Sequence, residues 1–250
     1  MGRILVTGGT GTLGSQLLPR LLTAGHDVVS LSRHDPARPL PGVTYRRGDV
    51  LSGAGVADAT AGVDTVLHTA TSPRVSRRAE VRGAITVATA ARTAGAHLIY
   101  ISIVGVDAMG FAYYKGKARS EKVVAECGTG WTVLRATQFH DLLDRFLGWK
   151  IFPVTKNMAF QPVDTGEVAD RLVGLIGAGP SGRVPDMGGP AVVPLRQLAA
   201  TRRAVTGSAA RLLPAPPWGP LSDFDQGRHL CPDHADGRIT WEQWLTTGRR

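Results

Sequence analysis

Over the first 135 residues, short apolar runs alternate with longer stretches of helical period. Runs at Arg3–Val6, Val28–Leu31, Val43–Arg46, Thr65–His68, Leu98–Ser102 and Trp131–Leu134 predict strands. Between the first two, Leu13, Leu17, Leu18, Leu21 and Leu22 fall on one face of a helix that Gly25 stops, with a slight bend expected at Pro19. Ala79–Ala94 and Tyr113–Cys127 read as further crossover helices, each followed by a glycine (Gly95, Gly128) suited to a C-cap. Strands alternating with helices in this way predict an α/β fold built on a doubly wound parallel sheet. After Arg135 the rhythm changes to scattered helices near Asp141–Leu147, Thr165–Ile176, Leu195–Ala204 and Thr240–Leu245. Residues 1–135 are therefore expected to form the core, and residues 136–250 a smaller substrate-covering portion interleaved with it. The Pro-rich stretch 214–220 and the segment that follows, to 238, read as either an ordered surface loop or an open flap.

Composition narrows the setting. A chain of 250 residues can bury a sizeable core, and with two cysteines, Cys127 and Cys231, it has no disulfide framework, which points to a reducing cytoplasm. The N-terminal apolar stretch is too short for a signal peptide, and no run approaches the roughly 18 apolar residues of a membrane span. The net charge of +9 raises the question of a nucleic-acid partner, but no block of fifty residues carries a basic excess above three. The densest basic stretch, Arg74 to Arg82, reads as a solvated helix face.

The chemistry begins directly after the first strand. Gly8, Gly9, Thr10, Gly11, Thr12, Leu13 and Gly14 form a glycine turn that opens the leucine-striped helix. Glycines let the backbone turn tightly and approach a pyrophosphate, and the helix N-terminus offers free N–H groups to it, so this order of strand, turn and helix predicts a Rossmann-type dinucleotide site. No GxxxxGK[ST] phosphate loop occurs. Where an NAD site places an acidic residue at the end of the second strand, this chain has Ser32-Arg33. A guanidinium suits the 2′-phosphate of NADP(H), with Asp35 near enough to compete. Asp49, past the third strand, is either an adenine contact or a turn-former.

Tyr113 and Lys117 are four residues apart on a predicted helix and leave the same face. A neighbouring ammonium lowers the cost of a phenolate, so such a pair can exchange a proton with a carbonyl oxygen. The glycine spacing with Asp49, the run Tyr100 to Asp107, Tyr113-Tyr-Lys-Gly-Lys117 and Leu134 to His140 together resemble the extended and atypical short-chain dehydrogenase/reductases, in particular their NmrA-like, NAD(P)H-binding branch. That resemblance covers about residues 3–176, with a weaker echo at 239–245. It implies that Tyr113 gives the proton and that Lys117 also holds the nicotinamide ribose. It further implies that Thr69, Ala70 and Gln138 contact the cofactor, with Thr71, Phe139 and His140 on the substrate side, a structural histidine being the alternative at His140. The chain departs from the pattern at the carbonyl-binding serine, where Ile103 stands; Ser102 is the provisional replacement, with His68, Thr69 and Thr71 as other donors.

The expectation is an NADPH-dependent reductase of a small, largely apolar carbonyl or conjugated compound. Its pocket would be closed by Phe146 to Phe160 and the C-terminal part, and a homodimer is allowed. The alternatives are an NADP-binding redox sensor of NmrA type and a non-redox epimerase or cyclase retaining the cofactor. His229-x-Cys231-xx-His234 superficially suits zinc, but no second paired-ligand motif accompanies it, and Asp223 to Gly227 fails the calcium-loop pattern, so no metal is expected.

Overall fold

The computed structural model describes residues 1–71 and 76–248; Arg74, in the basic stretch noted above, lies outside the described residues. The N-terminal half runs β1 (Arg3–Thr7), α1 (Thr12–Thr23), β2 (Asp27–Ser32), β3 (Val43–Arg47), α2 (Val56–Thr60), β4 (Thr65–His68), α3 (Arg77–Ala94), β5 (His97–Ile103), α4 (Ala112–Ala125) and β6 (Trp131–Ala136). Then come α5 (His140–Leu147), β7 (Ile151–Val154), β8 (Ala159–Phe160), α6 (Thr165–Ala178), β9 (Gly182–Arg183), β10 (Val193–Pro194), α7 (Leu195–Thr206), β11 (Arg211–Pro214), α8 (Pro220–Asp225) and α9 (Trp241–Thr246).

Seven strands form one sheet in the order β3-β2-β1-β4-β5-β6-β9, and every pairing in it is parallel. The fold is thus a Rossmann-like α/β sheet, and its strand order reverses between β1 and β4. Alternation along each strand divides the core. Ile4, Val6, Val28, Leu67, Ile99 and Leu134 pack with Leu13, Leu17 and Leu21 of α1 and Val168 and Leu172 of α6. Leu5, Val29, Val66, Leu98, Tyr100 and Val133 pack on the other face with Val56 of α2, Val87 and Ala91 of α3, and Val124 of α4.

Helix boundaries follow local chemistry. α1 continues through Pro19 and ends before Gly25, at φ +79°. The Ser76 hydroxyl accepts from the Ala79 N–H to open α3, and Gly95 closes it in the left-handed region at φ +65°. The Arg77, Arg78 and Arg82 side chains of α3 are exposed.

Residues beyond β6 do two things. α6 and β9 extend the sheet layers, while α5, α7 and α9 build a separate core in which Leu143, Leu147, Leu195, Leu198, Trp241 and Trp244 are buried. A small parallel pair, β7–β11, flanks that core, and α8 rises from the proline-rich segment expected to be loop or flap.

Candidate functional site

The reversal of strand order leaves a crevice at the C-terminal ends of β1 and β4, and the glycine turn fills one side of it. Gly8 has φ +74°, and a Cβ there would lie 2.8 Å from the Ala70 Cα; at Gly14 it would lie 2.2 Å from the Gly8 carbonyl oxygen. Both positions require hydrogen as the side chain. Gly11 differs: a Cβ there meets only the Gly8 carbonyl oxygen, at 3.1 Å, so its bare backbone faces outward. Gly11 is also the N-cap of α1, with no side-chain cap and no acidic residue in the first turn. The leading N–H groups of α1 and its positive dipole end are left for an anion. Thr10 and Thr12 are exposed beside them, and Leu13 is buried under the turn.

The segment after β4 is tied to the same turn. The Thr69 N–H and hydroxyl both donate to the Thr7 carbonyl, at 3.2 and 2.7 Å, and the Ala70 N–H reaches the Thr7 hydroxyl at 3.4 Å. That hydroxyl also bonds His68 Nδ1 at 2.7 Å. At the end of β2 the Ser32 hydroxyl donates to the His34 carbonyl at 2.6 Å, and Arg33 is exposed. Asp35 is engaged by Arg47, whose Nε lies 3.1 Å from both carboxylate oxygens, and this guanidinium holds its carboxyl below the ordinary carboxylate range. β2 and β3 pair Leu31 with Arg46 and Ser32 with Arg47, so both arginines lie at the strand end that Arg33 follows. Asp49 accepts from the Leu51 N–H at 2.9 Å, the geometry of a turn-former.

Tyr113 opens α4, half-buried, and its hydroxyl lies 3.1 Å from Thr71 Oγ1. The Thr71 hydroxyl donates to Glu80 Oε2 at 2.9 Å. One turn on from Tyr113, Lys117 is buried, with its ammonium 3.1 Å from Glu80 Oε1 and 3.1 Å from the Ile101 carbonyl. Thr71, Tyr113 and Lys117 are thereby joined through Glu80, a residue that sequence reasoning missed. Its lone carboxylate in an Arg-rich helical turn carries no pattern that marks it.

Ser102 lies on β5, 3 % exposed, and its hydroxyl has no hydrogen-bond partner among the described residues. Strand alternation sets it on the face of Tyr100, opposite Ile103, which packs near Val106, Met109, Tyr114 and Tyr113. Gln138 is buried, its amide 3.5 Å from the Tyr114 hydroxyl. Phe139 caps α5 and packs on the sheet core. His140 is 0 % exposed, its ring 5.7 Å from Trp241 and 5.6 Å from Trp244, and its Nε2 bonds the Ile239 carbonyl. The structure therefore gives the His140 ring to packing rather than to a substrate, and burial pushes its pKa down to about 4. His229 is likewise enclosed, against Phe160 and Phe224, with its Nε2 on the Ala159 carbonyl.

The model of the NAD(P)H-binding family matches residues 8–177. A 3-beta-hydroxysteroid dehydrogenase of Mycolicibacterium neoaurum is 46% identical over 71 residues, 28% of this chain and 19% of that protein. The chain thus spans about a fifth of the length of that curated relative. Among solved structures, an NADPH-dependent quinone oxidoreductase of Escherichia coli complexed with NADPH superposes with a TM-score of 0.78 at 20% identity, covering 99% of this chain and 100% of that one. A nucleoside-diphosphate-sugar epimerase of Staphylococcus aureus gives 0.77 at 17% identity, covering 98% and 99%. At such identities the likeness is one of fold.

Proposed function

Because the chain belongs to the NAD(P)H-binding family, we propose that it is an NADPH-dependent reductase of a small, largely apolar carbonyl or conjugated compound. The observation that carries this is the half-buried Tyr113 hydroxyl, hydrogen-bonded to Thr71 above the buried Lys117, on the helix that follows the strand next to the crevice.

In this reading the first N–H groups of α1, laid bare at Gly11, hold the diphosphate, and Arg33 with its basic neighbours holds a 2′-phosphate. With Asp35 engaged by Arg47, the carboxylate that would oppose that phosphate is occupied. Ser32, Asp49, Thr69, Ala70 and Gln138 complete the cofactor contacts. A bound nicotinamide supplies the hydride. Tyr113 donates its hydroxyl hydrogen to the substrate oxygen, and Lys117 provides positive charge beneath it. Ile103, Phe111 and Phe224, packed round Val106 and Met109, make the wall beside Tyr113 apolar, which favours an apolar substrate. Ser102 keeps its provisional role as carbonyl orienter, and Phe139 a place on the substrate side. Two unpaired buried cysteines fit a reducing cytoplasm, and among the described residues no helix is long and apolar enough to cross a membrane.

The test is NADPH oxidation by the purified protein with a panel of aldehydes, ketones and quinones, repeated with Tyr113→Phe. Loss of turnover with retained NADPH affinity supports the assignment, and full turnover by the variant removes it. A second reading, a cofactor-binding redox sensor, is favoured by Ile103 and by the buried hydroxyl of Ser102. NADPH binding without oxidation across the whole panel would select it.

A further inference from the structure

Glu80 is 5 % exposed and its carboxylate accepts from three donors: Lys117 at 3.1 Å, the Tyr100 hydroxyl at 2.9 Å and the Thr71 hydroxyl at 2.9 Å. Four groups face it, with Tyr100 on β5, Lys117 on α4, Thr71 just after β4 and His68 on β4. His68 is neutral, since burial pushes it down to about 4, and burial raises Tyr100, which stays a phenol. A buried ammonium sheds its proton unless a counter-charge accompanies it. Burial alone would lower Lys117, and its net direction is upward because of the oxygens around it, of which Glu80 brings the full negative charge. The Tyr100 ring adds a face 4.5 Å from the ammonium.

The same carboxylate sets a direction. Lys117 holds Glu80 ionised, and an ionised carboxylate only accepts, so Thr71 gives it its single hydroxyl hydrogen. The Thr71 oxygen is then left to accept from Tyr113, and the chain reads Tyr113 to Thr71 to Glu80.

We propose that Glu80 is a positioning residue of the site, keeping Lys117 charged in a buried position and, through Thr71, holding the Tyr113 hydroxyl in place. This rests on the reading of Tyr113 and Lys117 as the reacting pair. When substrate binds, the Tyr113 hydrogen turns from Thr71 to the substrate oxygen, its O–H bond breaks as one forms on that oxygen, and the phenolate left takes a proton from solvent, which reaches the exposed Thr71 beside it, so one proton enters for each one delivered.

The chain has five lysines, and Lys115, Lys122, Lys150 and Lys156 are exposed, so the Lys117 signal stands apart in protein labelled with [13C]lysine. In the wild type that signal is expected to keep its charged position up to about pH 10, near the ordinary lysine value. In Glu80→Gln it is expected to titrate below that, with the alkaline limb of the kcat profile at the same midpoint, and Glu80→Asp is expected to restore both. A Lys117 that stays charged throughout in Glu80→Gln overturns the proposal, and so does a titrating Lys117 with an unmoved kcat profile. Should Glu80→Gln fail to fold, exposed Thr71 decides. Thr71→Val is expected to lower kcat about tenfold with KM and NADPH affinity unchanged, and Thr71→Ser to restore it, whereas wild-type kcat in Thr71→Val overturns the positioning of Tyr113 through Thr71. If the wild type reduces nothing, the reductase reading fails, yet the lysine titration still decides whether Glu80 holds the charge.

Discussion

Two glycines of one turn are expected to fail in opposite ways. A methyl group at Gly14 would lie 2.2 Å from the Gly8 carbonyl oxygen and 2.5 Å from the Gly9 Cα, both backbone atoms that no rotamer can move. Gly14→Ala must therefore displace the turn against α1, an overpacking strain of about 1–3 kcal/mol. For a chain of this size that is a fall in melting temperature of about 2–12 °C. At Gly11 the added methyl meets only one oxygen, at 3.1 Å, and φ is −81°, open to any residue, so Gly11→Ala should leave the melting temperature within about 2 °C of wild type. The same methyl stands over the N–H groups that a diphosphate must approach, and loss of that close approach is expected to weaken NADPH binding tenfold or more, about 1.4 kcal/mol. Thermal melts with and without NADPH, together with a fluorescence titration, separate the two effects. A Gly11→Ala protein that binds NADPH like wild type would refute the diphosphate cradle. A Gly14→Ala protein that melts like wild type would refute the packing account of the turn.

Three further outcomes are expected. Arg33→Asp should weaken NADPH at least about tenfold while sparing NADH, since the charge acts on the 2′-phosphate alone; equal losses for both nucleotides would dismiss that role. Trp244, 1 % exposed and stacked on Trp241 at 5.6 Å, anchors the core of α5, α7 and α9, so Trp244→Ala should cost about 3–5 kcal/mol in denaturant unfolding. His68, His140 and His229 are each pushed by burial down to about 4 from an ordinary 6.5. The unfolded chain takes up these protons near the ordinary value and the folded chain only near the lower one, so stability is whole above that upper value and drains as pH falls through the interval. A melting temperature that stays level on acidification from 6.5 to 4 would contradict the buried neutral rings.

The sheet could be read from the chain because five of its first six strands carry their own apolar run, β3 alternates Val43 and Tyr45 with polar residues, and the crossover helices α1, α3 and α4 each carry a stripe. Such periods are local, and burial on both faces of a parallel sheet only reinforces them. The pieces that could not be read are those whose conformation comes from a distant partner. β8 and β10 are two residues each and exist through the pairing of Phe160 with Val193. β7 pairs with β11, sixty residues on, and α8 starts at a proline inside a segment whose composition is that of a loop. α2 spans five residues, too few for a 3.6-residue period to show.

The site divides along the same line. The glycine turn and the Tyr113–Lys117 spacing are local, and local rules carried them. The Tyr113–Lys117 face is shared only in part: Lys117 turns inward to Glu80 and the Ile101 carbonyl while Tyr113 stays half-buried beside the exposed Thr71. Glu80 is hidden among Arg77, Arg78 and Arg82, which are exposed; the buried side of that turn is defined by Lys117, Tyr100 and Thr71, on other segments of the chain. His140 follows a strand end, where ligand contacts are common, but its ring is claimed by Trp241 and Trp244, which arrive a hundred residues later. Local patterns therefore mark the groups proposed to meet a ligand directly, while the charges and rings packed against those groups come from segments remote in the chain. In this protein Glu80 is the point where the two meet, because one carboxylate receives both the lysine beneath the site and the threonine that touches its tyrosine.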